Sequence, residues 1–123
     1  MHIKEFFNLK KMGQSLKVAL VGIKIAFLEE QSFRIQAAIG FLVFVLMFCF
    51  PLNALERTIL VIAIGFVLAL EILNSQIERI LDFLEPNFNH KIKRIKDLAA
   101  GAVLVASLTA LLTGVFIFWR YLS

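Results

Sequence analysis

In LALEILNSQIERILDFLE, Leu68 to Glu85, the chain sets Glu71, Asn74, Glu78 and Asp82 among leucines and isoleucines, where an oily segment comes to its end. At ~100° per residue, offsets of three, seven and eleven from Glu71 fall at about −60°, −20° and +20°, so the four share one helix face. A charge at the bilayer centre costs roughly 2.5–3.5 kcal/mol on insertion scales, and an acid retained there is functional by default. Glu71 is the deepest of the four, and a nearly dry setting suits it to take a proton from a hydroxyl buried in lipid. Asp82 falls near the membrane surface, where an ordinary solvated acid explains it equally well.

A second polar set stands at the same membrane level. Glu30 precedes the first apolar segment with Arg34 one turn on, and Lys96 and Asp97 immediately precede the third. Glu30 and Glu78 offer hard oxygen ligands of the kind that hold magnesium jointly with substrate phosphates. Lys96 supplies a charge that stabilises transferring phosphoryl oxygens. The structural alternative for each is an ion pair, Glu30 with Arg34 or Lys93 with Asp97. Other chemistries lack their residues: there is no GxxxxGK[ST] loop and no HExxH, His2 and His90 lie in polar segments, and Ser32 and Ser75 have no neighbouring histidine to activate them.

The elements that must position these groups are membrane helices. Of the 123 residues, 60% are hydrophobic, too many for an ordinary small soluble domain. A span needs about 20 mainly apolar residues. Ile35 to Leu52, Ile59 to Leu73 continuing through Asp82, and Leu98 to Trp119 approach or meet that length. The expected architecture is all-α and integral to a membrane, a single domain over 1–123 with a surface-helix region at 1–28 and spanning helices at 35–52, 58–82 and 98–119. Leu16, Leu20, Ile23 and Phe27 recur at helical spacing with Lys17 and Lys24 among them, which predicts an amphipathic helix lying in the interface plane.

Lysines and arginines cluster before the first span, from Lys4 to Arg34, and between the second and third, from Arg79 to Lys96. The positive-inside rule then puts the N-terminus and the second loop on the cytoplasmic side, with Trp119 and Tyr121 at the far interface. The net charge of +4 is directed at an anionic membrane surface rather than at nucleic acid. The lone Cys49 excludes an intrachain disulfide. Pro51 and Asn53 suit a tight hairpin, and Pro86 ends the second helix. Ala102, Ala106, Ala110 and Gly114 make a small-residue stripe for close helix approach, while Ser107, Thr109 and Thr113 can bond back to helix carbonyls or across to a neighbour.

EQSFR at Glu30 to Arg34, EILNSQIE at Glu71 to Glu78 with Asp82 after it, and KDLAAGAVL at Lys96 to Leu104 together resemble the prokaryotic diacylglycerol kinase and undecaprenol kinase family, from about Leu16 to Trp119. The resemblance implies a homotrimer of three-span subunits in a bacterial cytoplasmic membrane, phosphorylating a membrane lipid alcohol with Mg-ATP. It implies Glu71 as general base, Glu30 and Glu78 as magnesium ligands, and Asn74, Lys96 and Asp97 as groups that contact or position the nucleotide phosphates. Diacylglycerol is the first expectation for the substrate and undecaprenol the alternative. Ser15 to Lys24 and the basic loop look more like the undecaprenol kinases, and Gln36 stands where the enterobacterial enzymes resemble one another in carrying a glutamate.

Two rivals remain from other classes. A small proton-coupled transporter also needs an intramembrane acid, but gives no reason for Asn74, Glu78, Lys96 and Asp97 to gather at one edge. A non-catalytic assembly subunit leaves the carboxylates unexplained.

Overall fold

The computed structural model describes residues 8–122, which form four α-helices: α1 (Leu9–Glu29), α2 (Gln31–Cys49), α3 (Ala54–Leu84) and α4 (His90–Leu122). Residues 1–7 of the expected surface-helix region, with His2 and Lys4, lie outside the described residues. α2, α3 and α4 are each long and apolar enough to cross a membrane. At 1.5 Å per residue α3 and α4 measure about 46 and 50 Å, against a hydrocarbon core of about 30 Å. Both therefore overhang it, and the polar ends of the two helices, Asn74–Leu84 and His90–Asp97, lie side by side.

Local chemistry sets the helix boundaries. Asn8 opens α1 by accepting from the Lys11 amide at 3.1 Å. Asn53 opens α3 with a reciprocal capping box: its side chain accepts from the Glu56 amide at 2.8 Å, and the Glu56 carboxylate accepts from the Asn53 amide at 3.0 Å. Asn89 accepts from the Lys91 amide at 2.9 Å, so α4 begins at His90, well before the apolar stretch expected from Leu98. Hydropathy marks what lies in lipid, whereas the cap and the helix-favouring lysines and arginines of KIKRIKD decide where winding starts.

Glu30 alone separates α1 from α2. Its backbone is extended (φ −112°, ψ 106°), its amide closes α1 on the Ala26 carbonyl, and its carbonyl accepts the first amide of α2, from Arg34. Arg34 stabilises this break by donating to the Phe27 and Leu28 carbonyls at 2.8 and 3.2 Å, satisfying groups that the end of α1 leaves unpaired. Phe27 and Phe33 meet edge to face across the bend, with ring centroids 4.9 Å apart.

α3 is the central helix, packed along α4 and less extensively along α2. Met47, Leu52, Leu60 and Ile117 form a buried cluster at the end where α3 begins. Closer to the middle, Gly40 lets α2 press on α3, since a Cβ there would meet Ile64 Cγ2 at 2.8 Å. Of the small-residue stripe on α4, Ala106 is buried, Ala110 and Gly114 are half-buried and Ala102 is exposed. Outward faces carry exposed phenylalanines such as Phe41, Phe66 and Phe116, as lipid contact requires.

Candidate active site

Where α3 leaves the apolar zone, Glu71 lies within electrostatic reach of two other carboxylates, Glu78 and Glu30. It is buried, with 8% of its surface exposed, and lies against the Gln36 amide of α2. The α3 period places Asn74 and Glu78 beside it, and the one-residue break before α2 brings Glu30 in from the other side. Ser75, also buried, is turned to its own helix and donates to the Ile72 carbonyl at 2.8 Å.

Polar satisfaction in this cluster is incomplete. Asn74 Nδ2 donates to Glu78 Oε1 at a long 3.5 Å, and the Asn74 Oδ1 is buried with no partner. Among the described residues no ion pair engages Glu71 or Glu78. Glu30 does have a cation, but it is not Arg34: Arg79 Nη2 meets Glu30 Oε1 at 2.5 Å while Arg79 Nη1 holds Glu29 Oε2 at 2.8 Å. Arg34 is committed to the α1 carbonyls, so the Glu30–Arg34 pair weighed from sequence does not form.

The residues preceding the third span are engaged differently. Lys96, half-buried, pairs with Asp82 across α3 and α4, one helical turn beyond Glu78. Asp97 accepts from Lys93 of its own helix at 2.7 Å and is exposed. The structure thus brings Glu30, Glu71, Asn74 and Glu78 together, sets Lys96 at their border on Asp82, and leaves Asp97 on the outer side of α4.

Magnesium is held in nucleotide enzymes by one or two carboxylates, with phosphate and water oxygens completing the octahedron. No group of three or more protein ligands in metal-holding geometry occurs among the described residues. The cluster fits the first requirement: Glu30 and Glu78 supply carboxylate oxygens, and the orphaned Asn74 Oδ1 is a hard oxygen that only a donor or a cation can satisfy.

Sequence reasoning missed Arg79, Glu29 and the partner of Gln36. Arg79 stands eight residues after Glu71, about 80° round the helix and so at the flank of the stripe. Two consecutive acids, Glu29 and Glu30, were the available signal that a cation must meet them. Gln36 was visible only as the polar interruption of the first span, and its bond to Ser107 of α4, at 3.3 Å, carries no local signature.

Comparisons with known proteins bear on this cluster. The family model described as prokaryotic diacylglycerol kinase matches residues 17–118. The chain is 31% identical over 114 residues to a protein of Escherichia coli strain K12 named diacylglycerol kinase, covering 92% of this chain and 89% of that one. It is 30% identical over 113 residues to a diacylglycerol kinase of Helicobacter pylori strain J99, covering 92% and 85%. It is also 34% identical over 89 residues to the undecaprenol kinase of Bacillus subtilis strain 168, covering 72% of each chain.

Proposed function

The chain belongs to the prokaryotic diacylglycerol kinase family and is a membrane lipid kinase; from that premise we propose that it moves the γ-phosphate of Mg-ATP to the hydroxyl of diacylglycerol, giving phosphatidic acid. The observation that carries the reading is the buried Glu71 within electrostatic reach of Glu30 and Glu78, next to an Asn74 that donates to Glu78 and whose own buried oxygen has no partner.

In this mechanism Glu71 takes the hydroxyl proton of the lipid, and the freed oxygen attacks the γ-phosphorus. The new O–P bond forms as the bond from γ-phosphorus to the β,γ-bridging oxygen breaks, and ADP leaves. Phosphoryl transfer asks a protein chiefly for in-line positioning and charge neutralisation. Glu30, Glu78 and Asn74 Oδ1 would hold magnesium, which when bound neutralises phosphate charge. Lys96 serves the same end once it leaves Asp82 for the phosphates. Asn74 positions the nucleotide, Asp97 can join it only after it leaves Lys93, and the buried setting of Glu71 keeps bulk water from competing with the lipid hydroxyl.

The site faces the cytoplasm of a bacterium from its inner membrane, as the lysine-rich N-terminus and second loop require under the positive-inside rule. α1 lies in the interface plane, and the working unit is a homotrimer; the exposed apolar faces of α2–α4 and the small-residue stripe support close association between copies. Undecaprenol is the second reading, favoured by the identity to the B. subtilis protein of that name.

Purified protein in mixed micelles, given radiolabelled ATP, magnesium and either diacylglycerol or undecaprenol, labels one lipid, and Glu71→Gln abolishes the label while the protein still assembles. Absence of label on both lipids, together with Glu71-dependent proton flux in vesicles, replaces the kinase with a transporter.

A further inference from the structure

Among the described residues, Arg79 is the one side chain of α3 that hydrogen-bonds to α1 or to the residue linking α1 and α2. Its guanidinium divides its fork: Nη1 donates to Glu29 Oε2 at 2.8 Å and Nη2 to Glu30 Oε1 at 2.5 Å. Arg79 and Glu29 are both about half exposed, and ion pairs so placed add little to folding. Stability alone therefore does not account for an arginine set between two acids, one of them a proposed metal ligand.

The pattern of bonds points to a task at Glu30. An arginine that closed off this carboxylate would take both oxygens in parallel bonds. Arg79 takes one, and Glu30 Oε2 accepts no hydrogen bond among the described residues. Charge balance agrees: Arg79 and Glu29 cancel, so Glu30 and Glu78 keep between them the pair of negative charges that a divalent cation matches. Glu30 also stands on the extended residue between two helices, where winding does not aim its side chain. Arg79 follows Glu78 directly on α3 and so ties Glu30 to the turn that carries the other proposed ligand.

We propose that Arg79 is a positioning residue for the magnesium site: it holds one oxygen of Glu30 and leaves the other for the metal shared with Glu78, while Glu29 offsets its charge. The inference rests on the lipid-kinase reading, with Glu30 and Glu78 as ligands, and adds the group that aims one of them. Ligating carboxylates are themselves hydrogen-bonded, and losing such a partner costs about 10- to 100-fold in metal affinity. Arg79 acts through Glu30 and touches neither nucleotide nor lipid. Lysine replaces it only in part, because an ammonium is a point charge without the planar fork that spans two carboxylates.

The test is manganese binding, read as loss of the free-ion electron paramagnetic resonance signal, by full-length protein in micelles with a non-hydrolysable ATP analogue; the analogue without protein sets the baseline. Arg79→Met is expected to weaken binding by roughly tenfold, the lower end of that range, and to raise by the same factor the magnesium needed for half-maximal lipid labelling. Saturating magnesium then restores most of the lost rate, and the ATP KM stays put. Arg79→Lys recovers part of the affinity. Glu29→Gln weakens binding in the wild-type background and adds nothing once Arg79→Met is present, a coupling between the two positions that a general folding defect does not produce. Unchanged or tighter manganese binding by Arg79→Met overturns the proposal, the tighter result by showing that the guanidinium competes with the metal. A raised ATP KM at saturating magnesium also overturns it, since that puts Arg79 on the phosphates. If Glu78→Gln too leaves manganese binding unchanged, the metal-ligand reading itself falls, whereas a loss in Glu78→Gln beside no change in Arg79→Met removes only the role of Arg79.

Discussion

The two ends of the helix bundle treat charge in opposite ways. Where α3 begins, Glu56 Oε1 accepts from the Asn53 amide at 3.0 Å, from Arg120 Nη2 at 2.9 Å and from the Tyr121 hydroxyl at 2.7 Å. Arg57 donates to the Met47 carbonyl at 3.3 Å and its guanidinium lies 5.3 Å from the centre of the Phe48 ring. Around the polar half of α3, Glu71 is buried without a cation, Glu78 has only a long amide contact and Asn74 Oδ1 has no partner. An unpaired buried polar atom costs about 1–3 kcal/mol. One end is therefore a closed clamp joining α3 to α4, and the other is held short of its own best folding arrangement, which is what a site awaiting external charge requires.

Substitutions can break this contrast. Glu71→Gln should remove at least the ~10²- to 10⁴-fold contributed by a positioned base, read as initial rate of lipid labelling, with assembly intact on size-exclusion chromatography. Glu78→Gln should raise the magnesium needed for half-maximal rate by at least the roughly 10- to 100-fold that loss of even an outer-shell partner costs, and chelator should silence the wild-type enzyme. Asn74→Leu sharpens the comparison most directly. It should lower activity while leaving resistance to unfolding equal or higher, because the unpaired oxygen worth about 1–3 kcal/mol is gone; a parallel fall in stability would show that the oxygen has a structural partner.

Gly40→Ala should cost about 1–3 kcal/mol as the new methyl forces Ile64 aside, and the displaced α2 should carry Gln36 away from Glu71 with a moderate loss of rate. Glu56→Gln should give the smallest effect on catalysis. Unfolding followed by circular dichroism should occur at lower temperature, while kcat measured well below that temperature matches the wild type. A kcat loss there would mean that the clamp is coupled to the chemistry.

Much of this arrangement was legible because a helix repeats every 3.6 residues: the spacing of Glu71, Asn74 and Glu78 alone puts them on one face, and apolar length alone marks the three spans. What escaped were contacts set by tertiary approach. Arg34 stands one turn from Glu30 and reads as its ion partner, yet it caps α1, because unpaired carbonyls at a helix end compete for the same guanidinium. Arg79 reaches Glu30 across 49 residues of sequence. Lys96 reads as free to meet phosphates, but its helix begins early enough to lay it along Asp82. The early start of α4 was itself hidden, since an N-cap asparagine leaves no mark in hydropathy.

The overhang of α3 and α4 has a consequence for the surrounding lipids. Glu71 and Glu78, the proposed base and metal ligand, are fixed on one unbroken helix, α3, that runs from the apolar zone into its polar end, so the waterline rather than the protein decides which of them is wet. A thicker bilayer drowns Glu78 in oil, a thinner one floods Glu71, and the protein can answer only by tilting. Acyl-chain length of the host membrane is thereby an adjustable parameter of the reaction.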